Sequence, residues 1–431
     1  LVKKNTHFLA ADGSRVTRED SCAGYVSQME CYTDFGFFPR KDDCYWESPF
    51  TSYTYDKYAY EEACRESVLD KRTYTLCDSL TATDASYLVE PVDGLWLLAI
   101  DGGVYLPKEM KDGKWTYQGS SAGYNLVLKH KPFLLPWVRK VVEEARKRHK
   151  TLVAFSHYPL VDFNDGVSES VHRMWWDRRF DLHRVPEAEV SEAFLQVGLR
   201  LHFAGHMHVN DTGIWEGKDG KHLYNIQVPS IATYVPAYKI LTIESDEAFR
   251  VETVTLDTVT GFDSLFPLYR AEYQSDSLRG HSPVWNKEIL SARTYGEFCD
   301  YQFRDLVRLR FIPRDLPESW RACLDFTGAR MLKAVSGEDK ANNVNWTGWC
   351  MTDMVLDVYR LRYAERLALK DIPETRLAAY RYLFERARIS SLRSAEVEIV
   401  NGLGTLFLAF LNGEPCQNFV IDLEKDTITG D

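Results

Sequence analysis

Short apolar runs alternate with amphipathic stretches in the middle of the first half of the chain, a pattern typical of an α/β sheet. Apolar runs occupy 95–100, 151–155 and 199–204, and each ends at a turn or a polar residue, as buried strands do. Between them, Pro136 and Pro186 precede residues whose apolar positions recur at helical spacing. Proline suits the first turn of a helix, because its missing N–H leaves no hydrogen bond unmade. The pattern predicts parallel strands joined by helices.

The pattern is different on either side of this segment. Residues 1–85 show little periodicity and predict irregular structure with short helices around 25–35 and 60–69. Downstream, apolar and polar residues alternate at 222–228, 238–244 and 249–255, which predicts further strands.

Helical spacing dominates after about residue 260. It occurs at 286–311, 316–335, 351–369 and 374–389. Turn residues at Gly402 and Asn412-Gly413 then predict a closing hairpin over 395–422. We therefore predict two regions, an α/β domain at 1–258 and a mainly helical region at 259–431 with a terminal β-hairpin, with their boundary between 256 and 285.

Composition narrows the class of protein. With 45% hydrophobic residues, the 431-residue chain can bury a sizeable core, and no window approaches 18 consecutive apolar residues. Its net charge of -11 does not suit non-specific contact with nucleic acid, which needs clustered positive charge. We expect no transmembrane segment and no stable nucleic-acid complex.

The nine cysteines leave two alternatives open. None forms a CxxC pair, so a zinc knuckle is not expected. Five fall within the first 77 residues, and such clustering favours disulfides in an oxidising compartment, periplasmic or extracellular. The other interpretation is buried free thiols in a cytosolic protein, and the odd total is compatible with it.

Three histidines follow two of the predicted strands. His157 comes directly after the run at 151–155, while His206 and His208 come after the run at 199–204. Ligands of open α/β sheets bind beyond the carboxyl ends of the strands. Neutral imidazoles held there by rigid strands are suitable ligands for borderline divalent metals. Gly205 would let the backbone approach the metals closely. His202, inside the strand, is expected to be structural.

These residues resemble the motifs of the calcineurin-like metallophosphoesterases. Ser156-His157-Tyr158-Pro159 resembles the strand-end histidine of that family, and Gly205-His206-Met207-His208 resembles its Gly-His-x-His motif. The run at 87–101 resembles the central strand and its preceding hairpin. The resemblance covers roughly residues 1–255, with its motifs between 86 and 245.

The chain also departs from the family pattern. The family site begins with Asp-x-His, Gly-Asp-x-x-Asp and Gly-Asn-His motifs, which do not occur here in order. The one Asp-x-His, Asp181-Leu182-His183, follows a basic stretch and not an apolar strand, so we interpret it as coincidence. The resemblance implies that the first motifs, with a bridging Asp, an Asn ligand and a catalytic His, lie upstream of Leu1.

The resemblance implies a four-layer α/β/β/α sandwich that lacks its first elements. It further implies a phosphomonoesterase or phosphodiesterase in which two divalent ions, of Mn, Fe or Zn, activate a water molecule for attack on phosphorus. His157 and His206 would bind one ion, and His208 the other. The substrate would be a small-molecule, nucleotide or lipid phosphate ester. Without carboxylate ligands, we expect this chain to bind metal weakly and to turn over slowly or not at all.

Two further interpretations concern the surroundings of the site. The loop after His157 carries Arg173, Arg178 and Arg179, which could pair with phosphate oxygens, or could be solvated charges on a packed loop. Asp101 ends a predicted strand near the site and is expected to form a turn. The rival to an enzyme is a non-catalytic binding or scaffold protein that kept a degenerate form of the fold.

Overall fold

The computed structural model describes residues 7–9, 14–17, 25–77, 80–111, 114–117, 123–175, 180–280, 285–339 and 344–430. The strands are β1 His7–Leu9, β2 Arg15–Thr17, β3 Tyr45–Glu47, β4 Thr73–Cys77, β5 Leu80–Thr83, β6 Tyr87–Val92, β7 Leu95–Ala99, β8 Pro107–Lys111, β9 Lys114–Tyr117, β10 Thr151–Ser156, β11 Leu201–Ala204, β12 Asp211–Glu216, β13 His222–Gln227, β14 Ala237–Ile243, β15 Ala248–Thr255, β16 Asn418–Asp422 and β17 Thr427–Gly430.

The α-helices occur throughout the chain and dominate after β15. They are α1 Tyr25–Cys31, α2 Tyr60–Glu66, α3 Val127–His130, α4 Leu134–Lys147, α5 Ser168–Trp175, α6 Ala188–Gln196, α7 Phe266–Leu278, α8 Tyr295–Leu306, α9 Ile312–Asp315, α10 Glu318–Arg321, α11 Gly328–Ser336, α12 Met351–Ala364, α13 Glu374–Ile389 and α14 Ala395–Leu411. A π-helical turn, Val307–Phe311, joins α8 to α9.

A seven-stranded sheet organises the first half of the described chain, in the order β12-β13-β11-β10-β7-β6-β3. Its centre is parallel, because β10 pairs in parallel with both β7 and β11, and β11 with β13. Strands β6 and β12 are antiparallel to their neighbours. The α/β class predicted from the apolar runs is therefore confirmed, while the antiparallel strand β12 was not predicted.

The sheet is covered on both faces. On one face, Trp137 and Val141 of α4 and Phe194 of α6 pack into a core with Trp96 and Leu98 of β7. Helix α4 buries this face because its apolar residues recur three and four positions apart. It begins at Leu134, two residues before the predicted start at Pro136.

The second face of the large sheet packs against a smaller sheet of four described strands, in the order β14-β15-β16-β17. Val153 and Ile226 of the large sheet meet Phe249 and Phe419 of the small one. The outer face of the small sheet carries Ile240, which is 42% exposed. The described residues thus form a helical layer and two sheet layers, and the helical fourth layer is not found among them.

The helices after β15 form the second region and pack over the carboxyl edge of the parallel strands. Their core contains residues of α8 to α14 together with Phe163, Met207, Val209 and Tyr234, from the loops that follow β10, β11 and β13. Strand β16 then returns to pair with β15. The two regions are therefore joined both by a shared core and by a shared sheet, and the boundary at 258 stays a prediction.

Two predictions of secondary structure were wrong. Residues 395–411 form α14 and not the first part of a hairpin, because Gly402 lies inside a buried helix; the hairpin is β16–β17. The predicted loop after His157 contains α5. The interval 256–285, where we expect the boundary, contains α7. Both helices are stabilised by tertiary packing that a local pattern does not reveal.

The eight described cysteines are free thiols, at positions 31, 44, 64, 77, 299, 323, 350 and 416. The disulfide interpretation is therefore wrong for these residues, while Cys22 lies outside the described part. The extracytoplasmic location inferred from cysteine clustering stays a prediction. In the described part of the chain, no helix combines the length and apolar character needed to cross a membrane.

Candidate functional site

The candidate site lies where β10 and β11 end side by side. These strands are parallel and in register, with Ser156 opposite Ala204, so the residues after them emerge at the same edge. The Gly205 N–H donates a hydrogen bond to the His157 carbonyl oxygen at 3.2 Å, which links the two loops. His157 and His206 are therefore neighbours because of the strand register.

The His157 and His206 side chains are in direct contact. His157 Nε2 and His206 Nδ1 are 2.8 Å apart, and the ring centroids are 4.7 Å apart. The buried ring of Tyr158 packs against both, at 5.1 Å from His157 and 4.5 Å from His206. Two nitrogen ligands of one ion, each at about 2.1 Å, are separated by roughly 3 Å. The pair thus has nearly the spacing that one shared ion requires.

The backbone around His206 adopts an uncommon conformation. His206 has φ 62° and His208 φ 58°, in the left-handed region that non-glycine residues seldom occupy. Between them, Met207 is buried in the core shared with the helical region. The buried Met207 anchors the loop, while His206 is half-buried and His208 is exposed. Such strain occurs at functional sites more often than elsewhere.

The three imidazoles favour the neutral state that metal binding requires. Burial, with Arg184, His157 and His208 beside it, lowers the pKa of His206 to about 4. Partial burial, followed by the charges of His208 and Arg184, lowers the pKa of His157 as well. Partial burial also lowers the pKa of His208. Neutral imidazoles present lone pairs to a cation.

His208 influences the pKa of both other imidazoles but is not in the direct contact that joins His157 to His206. Its charge depresses the pKa of His157 and of His206. The ligand atoms of the three histidines do not all lie within 4.8 Å of one another. Among the described residues, that spacing is found for Asp165, Asp211 and Glu365. The arrangement is compatible with His157 and His206 sharing one ion and His208 facing another.

Arg184 is the basic residue of the site, and the sequence reasoning missed it. Its charge lowers the pKa of both His157 and His206, which places it beside them. The guanidinium forms an ion pair with Asp181 at 3.4 Å, and its buried Nε has no hydrogen-bond partner among the residues that the structure describes. A short 3-10 turn, Leu182–Arg184, brings it to the site. No spacing in the sequence links position 184 to the strand ends.

Of the three arginines predicted to bind substrate, only Arg173 lies among the described residues. Arg173 is exposed on α5, and its guanidinium donates a hydrogen bond to Ser170 Oγ of the same helix at 3.3 Å. Arg178 and Arg179 lie outside the described residues, so their role stays a prediction.

A cavity of about 610 Å³ opens beside His157. It is lined at the carboxyl ends of β7 and β10 by His157, Tyr158 and Asp101. Much of the rest of the lining is aromatic, with Tyr32, Phe37, Tyr87, Tyr105 and Phe155. A cavity of this size and lining accommodates a small organic group.

The remaining candidate residues have structural contacts. The Asp181 carboxylate pairs with Arg314 at 3.2 Å, so the Asp181-x-His183 motif does not supply a free ligand. His202 is fully buried, with its Nδ1 2.8 Å from Asn225 Oδ1. Asp101 pairs with the buried Lys131 at 2.9 Å and accepts a hydrogen bond from the Gly103 N–H, as a turn residue does.

Comparison with known proteins found no matching family model and no matching curated protein. Among solved structures, a dimetal phosphatase from Danio rerio is similar to this chain at 15% sequence identity and a TM-score of 0.24. The match covers 40% of this chain and 60% of that one, which is less than two thirds of its length. A TM-score this low does not establish a common fold, so the chemistry of the site rests on its own geometry.

Proposed function

We propose that this chain contributes the histidine ligands of a dinuclear metal centre that hydrolyses phosphate esters, on a fold of the calcineurin-like metallophosphoesterase type. The observation that carries the proposal is the contact of His157 Nε2 with His206 Nδ1, 2.8 Å apart at the carboxyl edge of a parallel sheet. The motifs around these residues, and the position of the site in the sheet, agree with it.

The donor set suits borderline divalent ions such as Zn, Mn or Fe. His157 and His206 would hold one ion, and His208 would hold the second. When bound, the two ions would neutralise charge on the phosphate oxygens and make a water molecule a better nucleophile.

The protein side chains around the ions would bind and orient the ester. The Arg184 guanidinium, which pairs with Asp181 at 3.4 Å, would bind a phosphate oxygen. Tyr158 packs on both imidazoles and keeps their rings oriented. The aromatic cavity would receive the organic part of the substrate, so an ester with an apolar or planar leaving group is favoured over a bare sugar phosphate.

Metal binding by these histidines alone should be weak. The carboxylate whose charge reaches His206 is Asp181, which is already paired with Arg314 and Arg184. Two dications held by imidazoles without a bridging carboxylate are poorly neutralised. We therefore expect slow hydrolysis by this chain, detectable only with added metal.

The test is hydrolysis of bis(p-nitrophenyl) phosphate and p-nitrophenyl phosphate with and without added Mn²⁺. We expect a slow, Mn²⁺-dependent rate that the variant His206→Gly reduces at least tenfold, because the ligand pair is lost. His149→Gly is the matched control, since His149 is exposed and also has a positive φ, of 54°. Glycine tolerates this backbone conformation in both variants. Equal rates and equal Mn²⁺ affinity for the two variants would refute the proposal.

The second candidate is a binding protein that retained the fold without catalysis. It is favoured by the pairing of Asp181, a carboxylate whose charge reaches His206, with Arg314 and Arg184. The same assay separates the two functions. Mn²⁺-dependent binding of inorganic phosphate, without turnover of either ester, would favour the binding protein.

A further inference from the structure

A second cluster of ligand-type side chains lies away from the histidines, where the helical region meets the sheet. Asp165 lies in the loop after β10, Asp211 is the first residue of β12, and Glu365 follows directly after α12. One carboxylate oxygen from each lies within 4.8 Å of the others. The tertiary structure therefore brings three acids together from segments far apart in sequence.

Two of the three acids are buried, Asp165 is half-buried, and part of their hydrogen-bonding capacity is unused. Asp211 is 2% exposed and Glu365 3% exposed. In the described structure, both carboxylate oxygens of Asp211 and Oε1 of Glu365 have no hydrogen-bond partner. Buried carboxylate oxygens without donors are rare in proteins, because the lost hydration is not replaced.

Gln227 is an independent sign of a ligand at this position. It is fully buried, and neither its Oε1 nor its Nε2 has a partner in the part of the chain that the structure describes. In the antiparallel pair of β12 with β13, Gln227 lies directly opposite Asp211. Directly opposed residues project from the same face with their Cβ atoms about 5 Å apart. The Gln227 amide therefore extends beside the Asp211 carboxylate and could supply a fourth oxygen.

The charge of the cluster is not balanced by its basic neighbour. The Lys239 ammonium reaches Asp211 electrostatically, but it donates its hydrogen bonds to Asn210 Oδ1, Thr253 Oγ1 and the Cys416 carbonyl oxygen, at 2.7, 2.9 and 2.7 Å. Burial, followed by the charge of neighbouring acids, raises the pKa of Asp165 and of Glu365. Burial is also the main cause that raises the pKa of Asp211 to about 6. The acids must therefore either hold protons or be neutralised by a cation.

We propose that Asp165, Asp211 and Glu365 bind one Ca²⁺ ion, a site separate from the three histidines and independent of the proposed hydrolysis. Oxygen-only donors suit a hard cation with flexible geometry, whereas the nitrogen donors of the histidines suit borderline metals. A cavity of about 100 Å³, lined by Glu365 and by residues 413–417, adjoins the cluster and provides access. The bound ion would cross-link three segments and so fasten the helical region to the sheet.

Calcium binding to the metal-stripped full chain tests the proposal. Isothermal titration with Ca²⁺ at pH 7.5 should give one ion per chain, and a thermal melt should show a higher Tm with calcium, because a ligand that binds only the folded state stabilises it. The variants Asp211→Asn and Glu365→Gln should each weaken Ca²⁺ binding at least tenfold and remove the Tm increase. These amides keep the shape of the side chains and remove the charge.

Two controls separate this site from other sources of calcium binding. Glu247→Gln removes an exposed acid far from the cluster in sequence and should bind Ca²⁺ like the wild type. His206→Gly should also retain full Ca²⁺ affinity, so the outcome does not depend on the proposed phosphoesterase.

The proposal is overturned if the wild type shows neither heat nor a Tm increase at Ca²⁺ concentrations up to about 10 mM, well above the range of known protein sites. Unchanged Ca²⁺ affinity in Asp211→Asn and Glu365→Gln would overturn it as well. In the first case the acids would be neutralised by protons, and the wild type would then be stabilised as the pH falls from 7 to 6.

Discussion

His202 and His206 lie four residues apart in sequence, but their surroundings give them different roles. His202 is fully buried inside β11, where Asn225 and Ser156 contact its two ring nitrogens at 2.8 and 3.0 Å. His206 lies just past the strand end, and its Nδ1 faces His157. Both have a pKa lowered to about 4, for which burial is the largest cause. The same shift thus marks a structural residue in one case and a candidate ligand in the other.

The buried neutral His202 makes folding stability depend on pH. An unfolded histidine has a pKa near 6.5, so between pH 6.5 and about 4 the unfolded chain binds a proton that the folded chain does not. Stability from this residue is complete above pH 6.5 and is lost progressively as the pH falls toward 4. The full loss amounts to roughly 3 kcal/mol.

Urea unfolding of the wild type and of His202→Gln at pH 7, 6, 5 and 4 measures this effect. Glutamine does not titrate, so the variant should be less stable than the wild type at pH 7, and the difference should shrink toward pH 4. Parallel pH profiles for the two proteins would contradict the assignment of a low pKa to His202.

At the scale of elements, helix α14 shows how tightly the helical region is packed. The helix is apolar on nearly all sides, and its glycines allow close contact with neighbouring helices. A Cβ atom at Gly402 would lie 2.2 Å from the Trp320 ring, and one at Gly404 would lie 2.8 Å from the Phe384 ring. These glycines are therefore required by packing, and not by a turn.

Replacing Gly402 with alanine adds a methyl group that overpacks the contact with Trp320, at a cost of about 1–3 kcal/mol. The gain of about 1 kcal/mol in helix propensity offsets part of this cost. We therefore expect a net destabilisation of up to about 2 kcal/mol. Thr405→Ala, at an exposed position of the same helix, is the control and should leave stability unchanged or slightly higher. Chemical unfolding of both variants measures the difference, and a stabilised Gly402→Ala would contradict the packing argument.

At the scale of the whole molecule, the two predicted regions share one core. Met207 and Val209, next to the candidate site, are buried together with residues of α8 to α14. The Arg362 guanidinium donates a hydrogen bond to the Phe180 carbonyl oxygen at 2.6 Å, and the Asn210 N–H donates one to the Tyr363 carbonyl oxygen at 2.9 Å. The backbone that carries the histidines is therefore supported by the helical region.

This shared core predicts that the two regions unfold together. Far-ultraviolet circular dichroism, which reports mainly helices, and tryptophan fluorescence should give coincident thermal transitions. The variant Arg362→Met, which removes a buried hydrogen-bonding side chain, should lower both Tm values equally. Two transitions at separate temperatures would show instead that the regions are energetically independent.

Local patterns in the sequence determined the strands at the centre of the sheet, the helix α4 and the histidines at the strand ends. These predictions needed only periodicity and the rule that parallel strands end at one edge. The glycine at position 402 was misread for the same reason: a local pattern cannot distinguish a turn glycine from one that admits a tryptophan ring.

The tertiary structure alone decided which distant residues meet. It brought Arg184 beside the histidines and paired β16 with β15. It also brought Asp165 together with Asp211 and Glu365. Each of these contacts joins segments that are far apart in sequence, so it depends on the packing of the whole chain. Burial also decided the ionisation of His202 and His206, because the pKa depends on the water and charge around a group and not on its neighbours in sequence. The sequence therefore supplied the ligand types, and the fold supplied their distances and their charge.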